Sequence, residues 1–450
     1  MSDAPATTLG DAGDVLARLG DVARDLARQY PGAGGRRQAV HTVYGGAHLF
    51  AADSAAKLGA LALRALAAYA PDAAAFGAAL GIDPALMEPV YPRVAAKLER
   101  EPVEDFRIDF EDGYGVRPDD EEDGHAASAA REVAAGLAAG TLPPAVGIRI
   151  KPFSAELAAR SLRTLDLFTT ALCRATGGRL PDGFVVTLPK VMAPEQVAAL
   201  ADLLGRLERG LGLAAGALRL ELMIETPQAI LDPDGRANVR RLVEAAGGRC
   251  AAAHFGTYDY TALCEITAAY QTMDHPACDF AKHVMQVALA GSGVELSDGA
   301  TNVLPVAPHR PRDGRPLTAA QAEENRRAVH AAWRLHYGHV RRSLIQGYYQ
   351  GWDLHPAQLP VRYAAVYTFF LEGLEAATDR LRNFLAKAAQ ATLVGDVFDD
   401  AATGQGLLNY FLRALGCGAL DEEEVLARTG LPREALATRS FVAILARVHG

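Results

Sequence analysis

Two carboxylates stand where short apolar runs end: Glu225 in Leu220-Glu221-Leu222-Met223-Ile224-Glu225-Thr226-Pro227, and Asp259 in His254-Phe255-Gly256-Thr257-Tyr258-Asp259. Each precedes a stretch with helical patterning. Arg149 lies in a third run, Val146-Gly147-Ile148-Arg149-Ile150-Lys151. In a parallel barrel, side chains at the carboxyl ends of strands converge on one mouth. Paired oxygen ligands there suit Mg²⁺ or Mn²⁺ rather than zinc, and a guanidinium suits an anionic oxo acid. Taken alone, Arg149 reads as a barrel salt bridge.

Other charged groups fall at similar places. Phe106-Arg107-Ile108-Asp109-Phe110-Glu111-Asp112-Gly113 alternates apolar and charged residues before stopping at glycine. The Glu111–Asp112 pair is expected to hold metal-bound waters or, alternatively, to cap the next helix. Lys190 follows Val185-Val186-Thr187-Leu188-Pro189. It invites a Schiff-base reading, but beside metal-binding carboxylates it is more useful as a charged hydrogen-bond donor. His336 and His339 share a helical face and so could share a metal, but with Arg326, Arg327, Arg334, Arg341 and Arg342 around them a solvated basic face is the better reading.

The elements that must position these groups follow from the pattern. Short apolar runs at about 40–45, 106–110, 146–151, 184–188, 218–224, 250–255, 293–297 and 350–354 alternate with Ala/Leu-rich helical stretches. Eight such units favour a TIM (β/α)₈ barrel over an open doubly wound sheet. No G-x-G-x-x-G follows a candidate strand. Residues 1–39 read as an N-terminal helical arm, with Val15, Leu16, Leu19, Val22 and Leu26 at helical spacing. The barrel is expected over 40–360, and a helices-only lid or oligomerisation region over 361–450. Residues 60–105 exceed one crossover helix. The proline- and arginine-rich stretch 305–317 reads equally as an anion-greeting lid or a surface loop.

Composition narrows the partners. The formal charge of −9 argues against nucleic acid or an anionic membrane surface. Five cysteines, an odd number without a Cys-x-x-Cys pair, point to a reducing compartment. With no leader-like segment and no apolar run of about 18 residues, a cytoplasmic setting is expected.

In order, these segments resemble the HpcH/HpaI aldolase/citrate lyase beta-subunit family. The matching residues are Val43-Tyr44-Gly45-Gly46 with Asp53 and Lys57, Asp109-Phe110-Glu111-Asp112, Arg149, and Leu188-Pro189-Lys190. They continue with Ile224-Glu225-Thr226-Pro227, Phe255-Gly256-Thr257-Tyr258-Asp259 and Gly351-Trp352-Asp353-Leu354-His355-Pro356-Ala357-Gln358. The resemblance implies a metal-assisted carbon–carbon lyase or aldolase in a TIM barrel. It carries the metal ligands to Glu225 and Asp259, the oxo-acid-binding arginine to Arg149, and further substrate contacts to Gly45, Gly46, Lys57 and His355. It also implies a homo-oligomer, a trimer or hexamer, and a coenzyme A thioester as one possible substrate.

The sequence departs from that family in two places. Gly45-Gly46-Ala47-His48 replaces a Pro-Gly-Asp-type loop. In the acyl-CoA lyase branch a C-terminal lid supplies an aspartate, often to a neighbouring subunit; the corresponding stretch here is Val394-Gly395-Asp396-Val397-Phe398-Asp399-Asp400. Asp396, Asp399, His48 and metal-bound water therefore all stand as acid/base candidates. Two further readings stay open: a phosphotransferase of the pyruvate/phosphoenolpyruvate type, drawing on Arg310 and Arg312, and a non-catalytic barrel scaffold.

Overall fold

The computed structural model describes residues 12–32, 37–311, 315–386, 392–394, 397–399, 401–438 and 444. Eight parallel strands close into a barrel in chain order: β1 (His41–Gly46), β2 (Asp105–Asp109), β3 (Ala145–Arg149), β4 (Val185–Leu188), β5 (Arg219–Ile224), β6 (Cys250–Phe255), β7 (Glu295–Ala300) and β8 (Gln350–Asp353). This is the expected TIM barrel. Because every strand runs the same way, all eight carboxyl ends lie on one rim.

Alternation along the strands decides what fills the barrel. Ile108, Val146, Ile148, Val186, Leu220, Leu222 and Ile224 have no solvent exposure and belong to the apolar core under the helices. The alternate positions carry Tyr44, Arg107, Asp109, Arg149, Thr187, Glu221 and His254. Strands β2 and β5 are not neighbours, yet Arg107 Nη2 donates to Glu221 Oε2 at 2.6 Å. Tyr44 Oη of β1 lies 3.3 Å from His254 Nδ1 of β6. Such bonds cross the interior, so ion-paired layers replace the branched apolar side chains that usually fill such barrels. Buried charges are tolerated when paired and hydrogen-bonded. Burial works against ionised Glu221, but the Arg107 guanidinium and His254 hold its carboxyl well below the usual range.

Between β1 and β2 the excess chain forms three helices, α2 (Ser54–Tyr69), α3 (Ala73–Leu80) and α4 (Pro84–Arg100). Asp72 and Asp83 cap the last two by accepting the Ala75 and Ala85 N–H groups, both at 2.8 Å. The helices α5 (Asp119–Ala139), α6 (Ala158–Thr176), α7 (Pro194–Leu211), α8 (Pro227–Ile230), α9 (Asn238–Ala245), α10 (Thr257–Leu263), α11 (Pro276–Leu289) and α12 (Ala319–Ile345) follow the next strands. Helices α3 and α4 pack against α12 and α13 (Leu359–Glu372) respectively.

The basic-face reading of α12 is corrected for its histidines. His336 and His339 are buried, each with Nδ1 at 2.9 Å from Thr301 Oγ1. Arginines spaced around them on the opposite side of the helix gave the misleading pattern. After Thr301, Arg310 is exposed, and Arg312 lies outside the described residues. Helix α1 (Gly13–Gln29) is the expected amphipathic arm, and none of its residues is buried.

The expectation of helices alone after residue 361 is also corrected. Between α14 (Leu374–Ala386) and α15 (Ala401–Cys417), Thr392–Val394 (β9) pairs antiparallel with Val397–Asp399 (β10). Two short helices follow, α16 (Glu422–Thr429) and α17 (Arg433–Ala437). On α15, Arg413 Nη1 donates to Gln38 Oε1 at 3.0 Å, and its guanidinium stacks 3.7 Å from the Tyr349 ring centre. Gln38 in turn donates to the Leu296 carbonyl at 3.0 Å. Gln38, Leu296 and Tyr349 mark the amino ends of β1, β7 and β8, so α15 is anchored at the end of the barrel opposite the mouth. Among the described residues, no helix is long and apolar enough to cross a membrane.

Candidate active site

The mouth is organised around Lys190, two residues past the end of β4. Its backbone adopts φ +50°, a left-handed conformation that a residue with a Cβ seldom holds. That twist aims its N–H at Glu225 Oε1, at 2.8 Å. Its ammonium lies 2.8 Å from Glu111 Oε1, 3.2 Å from Asp259 Oδ2 and 3.3 Å from Asp112 Oδ2. One residue therefore touches four carboxylates from three strand ends.

Arg149 forms the second cation. Its Nε and Nη2 donate to the two oxygens of Asp109 at 2.7 and 2.5 Å. Its Nη1 faces Glu111 Oε2 at 3.3 Å, and the guanidinium lies 4.7 Å above the Tyr44 ring centre. Asp109 also accepts the N–H groups of Glu111 and Gly113, at 3.0 and 2.7 Å. It thus fixes both the arginine and the acidic turn after β2.

Electrostatics at the mouth are unbalanced. Among the described residues, Asp109, Glu111, Asp112, Glu225 and Asp259 face two cations, Arg149 and Lys190. Burial pushes the Glu225 carboxyl up to about 8, and the Asp259 charge adds to it against the pull of Lys190. Burial likewise raises Glu111 to about 7, with Asp112 adding to the rise and Arg149 opposing it. Carboxyls that resist ionisation beside other carboxylates are short of positive charge. An all-oxygen donor set with that deficit fits a hard divalent cation. Gly256 leaves room for the Glu225 carboxylate: a Cβ there would come 2.6 Å from Glu225 Oε2, so only glycine lets it lie where it does. Among the described residues, no three His, Cys, Asp or Glu side chains are already gathered as a cation cage.

A second group of predicted residues meets next door. Gly45, Gly46, Lys57 and His355 line a cavity of about 250 Å³ with Phe50, Phe106 and other apolar side chains. His355 Nδ1 accepts the Ala357 N–H at 3.1 Å, which leaves Nε2 to carry the proton of the neutral ring; burial lowers the imidazole's pKa and favours that form. Lys57 pairs with Asp53 at 2.7 Å on an exposed turn.

Three acid/base candidates remain. His48, in the loop after β1, stands beside Tyr114, ring centres 5.6 Å apart. Burial and Arg117 lower its pKa. Asp399 belongs to β10, paired with Thr392, and Asp396 lies outside the described residues. Sequence reasoning passed over Asp109 as a working residue, and Tyr44 and Asp353 with it. A signal was present for Asp109: Asp105, Arg107 and Asp109 alternate with Phe106 and Ile108 along β2, which puts the charged set on one face of the strand.

Comparison with known proteins adds the following. The family model described as a domain of unknown function, DUF6986, matches residues 19–444. No curated protein matches the chain. A citrate lyase from Burkholderia xenovorans LB400 shares the fold: 22% identity, TM-score 0.54, covering 75% of this chain and 91% of that one. The malate synthase of Haloferax volcanii, in a magnesium/glyoxylate complex, is 14% identical with a TM-score of 0.47, covering 91% and 98%. CitE from Mycobacterium tuberculosis, in complex with magnesium, acetoacetate and coenzyme A, is 13% identical with a TM-score of 0.47, covering 85% and 100%.

Proposed function

The chain belongs to the DUF6986 family, and from that premise we propose that it is a divalent-metal-dependent carbon–carbon lyase or aldolase acting on a 2-oxo acid. The observation that carries this reading is the mouth itself, where five carboxylates face two cations and every donor is oxygen. Glu225 and Asp259 would hold Mg²⁺ or Mn²⁺, and Glu111 and Asp112 would accept from its waters. When bound, such an ion supplies Lewis-acid stabilisation to negative charge developing on the oxo oxygen.

The protein's own residues do the rest. Asp109 holds Arg149 by one edge of the guanidinium, and Nη1, 3.3 Å from Glu111 Oε2, would turn from that carboxylate to the substrate's. The Tyr44 ring beneath the guanidinium keeps its plane fixed. The cavity lined by Gly45, Gly46, Lys57 and His355 is the proposed place for the second fragment, an aldehyde or an acyl thioester such as coenzyme A would supply. There the neutral His355 offers an N–H donor and Lys57 a cation.

A phosphotransferase would need further cations for phosphate; of the two arginines that reading draws on, Arg310 is exposed and Arg312 lies outside the described residues. A non-catalytic scaffold gives no reason to gather five carboxylates around two cations at a barrel mouth. The deciding experiment is calorimetry with MgCl₂ or MnCl₂, followed by a panel of 2-oxo acids and their aldol adducts. Stoichiometric metal binding with metal-dependent cleavage of one adduct is expected. Absence of metal binding rejects the proposal.

A further inference from the structure

We propose that Lys190 is an internal stand-in for the divalent cation: its ammonium occupies the centre of the carboxylate group in the metal-free protein and swings out when the ion enters. The chain thereby sets its own metal affinity. This rests on the reading that the mouth takes a divalent cation.

Three observations carry it. The first is position. The ammonium lies between 2.8 and 3.3 Å from Glu111, Asp112 and Asp259, matching its three N–H donors to three acceptors. These side chains, with Glu225, are the ones that would surround the ion. An ammonium and a divalent ion cannot both occupy that centre, because like charges a few ångströms apart repel strongly at the effective dielectric of a half-buried site.

The second is the contrast between the two cations. Arg149 is buried and clamped by both oxygens of Asp109. Lys190 keeps 30% of its side chain in solvent on a flexible four-carbon stem. One cation is built to stay, and the other has somewhere to go.

The third is the backbone. Lys190 holds its left-handed φ of +50° while its own N–H binds Glu225. Strain of this kind persists only where the surroundings over-determine it. Here it separates two roles. The N–H can go on orienting Glu225 while the side chain turns away, so the swing needs no movement of the loop. A glycine would meet the backbone requirement at less strain, so the side chain must have a use of its own.

The test is Lys190→Met in the full-length protein, titrated calorimetrically with MnCl₂ alone. Removing the competing charge should tighten Mn²⁺ binding by at least about tenfold. In chelator the variant should melt below wild type, with the gap closing when Mn²⁺ is added. Equal or weaker Mn²⁺ binding in the variant means that the ammonium helps to arrange the carboxylates, and the stand-in role is overturned. A measurement on wild type guards against a variant that fails to fold. Acylation of lysines by a water-soluble ester, read by mass spectrometry, should modify Lys190 several-fold faster with Mn²⁺ than with chelator. Unchanged or slower modification overturns the proposal. If wild type itself binds no metal, the reading of the mouth fails and the stand-in falls with it. If wild type binds and the variant binds no tighter, only the stand-in falls.

Discussion

Asp109 and Arg149 close on each other through two parallel bonds, Nε to Oδ1 at 2.7 Å and Nη2 to Oδ2 at 2.5 Å, on neighbouring strands β2 and β3. The guanidinium therefore enters any reaction with one edge already occupied. A planar fork can hold Asp109 on one side and still present Nη1 to a ligand, whereas an ammonium cannot serve both in fixed directions. Arg149→Lys is expected to lower kcat/KM for the 2-oxo acid by at least about tenfold. Asp109→Asn should do the same with Arg149 intact, because the arginine loses its anchor. Steady-state kinetics of the two variants check this, and wild-type values for Arg149→Lys would remove the arginine from the site.

Glu225 owes its position to the Lys190 N–H and to the room left by Gly256. Gln at 225 keeps shape and one acceptor but removes the charge a divalent ion requires. Glu225→Gln should weaken Mg²⁺ or Mn²⁺ binding by about a hundredfold or more while the circular dichroism spectrum and melting curve hold. Unaltered metal affinity in calorimetry would take Glu225 out of the ligand set.

The barrel and its rim were legible in the sequence because both follow from local rules. Eight apolar runs between helical stretches fix the strand order, and a carboxylate just past a run must come to the mouth. Non-local facts were hidden. That Arg107 reaches Glu221 across the barrel depends on closure and stagger, which no local pattern encodes. His336 looked solvated because α12 is rich in arginine, yet the helix turns its histidines inward towards Thr301 and Asp353. Positive φ at Lys190 had no signature either, since residues of that type normally avoid it.

Asp353 gives a pH prediction. Outside the barrel wall it is bonded by Arg362 Nε and Nη2, at 3.1 and 3.0 Å from Oδ1. His41 Nδ1 and His336 Nε2 stand at ion-pair distance, 2.8 and 3.0 Å, off the line of a good hydrogen bond. Burial opposes its ionisation, but Arg362 and the two histidines hold the carboxyl well below the usual range. A group whose pKa is depressed by folding adds stability above its unfolded value, about 3.9, and loses it as pH falls towards the folded value. His336, kept neutral by burial, adds a separate loss below about 6.5 as the unfolded chain takes up protons. Asp353→Asn should cost about 3–5 kcal/mol at neutral pH by leaving Arg362 unpaired. It should also flatten the stability profile below about pH 4 while the histidine limb remains. Urea midpoints across acid pH measure both; an unchanged acid limb would mean that another carboxylate governs it.

The last prediction concerns Asp396, Asp399 and the oligomer. Removing the C-terminal region is a poor test, because Leu408 and Phe411 of α15 are fully buried and Tyr410 is bonded to the Phe370 carbonyl. Cutting before α15 would expose apolar surface and confuse loss of folding with loss of function. The anchoring of α15 beneath the barrel, through Gln38 and Tyr349, also bears on reach. The β9–β10 pair leads towards the amino end of α15, whose far end, at Arg413, is fixed at the barrel end away from Glu225 and Asp259. Aspartates carried there are expected to serve the mouth of a neighbouring subunit, where a covering segment would exclude water from the reaction. Subunit mixing tests this. The double variant Asp396→Asn/Asp399→Asn and the single variant Glu225→Gln should each be nearly inactive as pure oligomers. Unfolded, mixed and refolded together, they should regain up to about a quarter of wild-type turnover, since in a random mixture only a mouth with intact ligands facing an intact hairpin can work. Recovery with an oligomeric mass by light scattering supports hairpins that act across subunits. No recovery from a properly assembled mixture, or full activity in the double variant, assigns the acid/base step to a residue within the barrel.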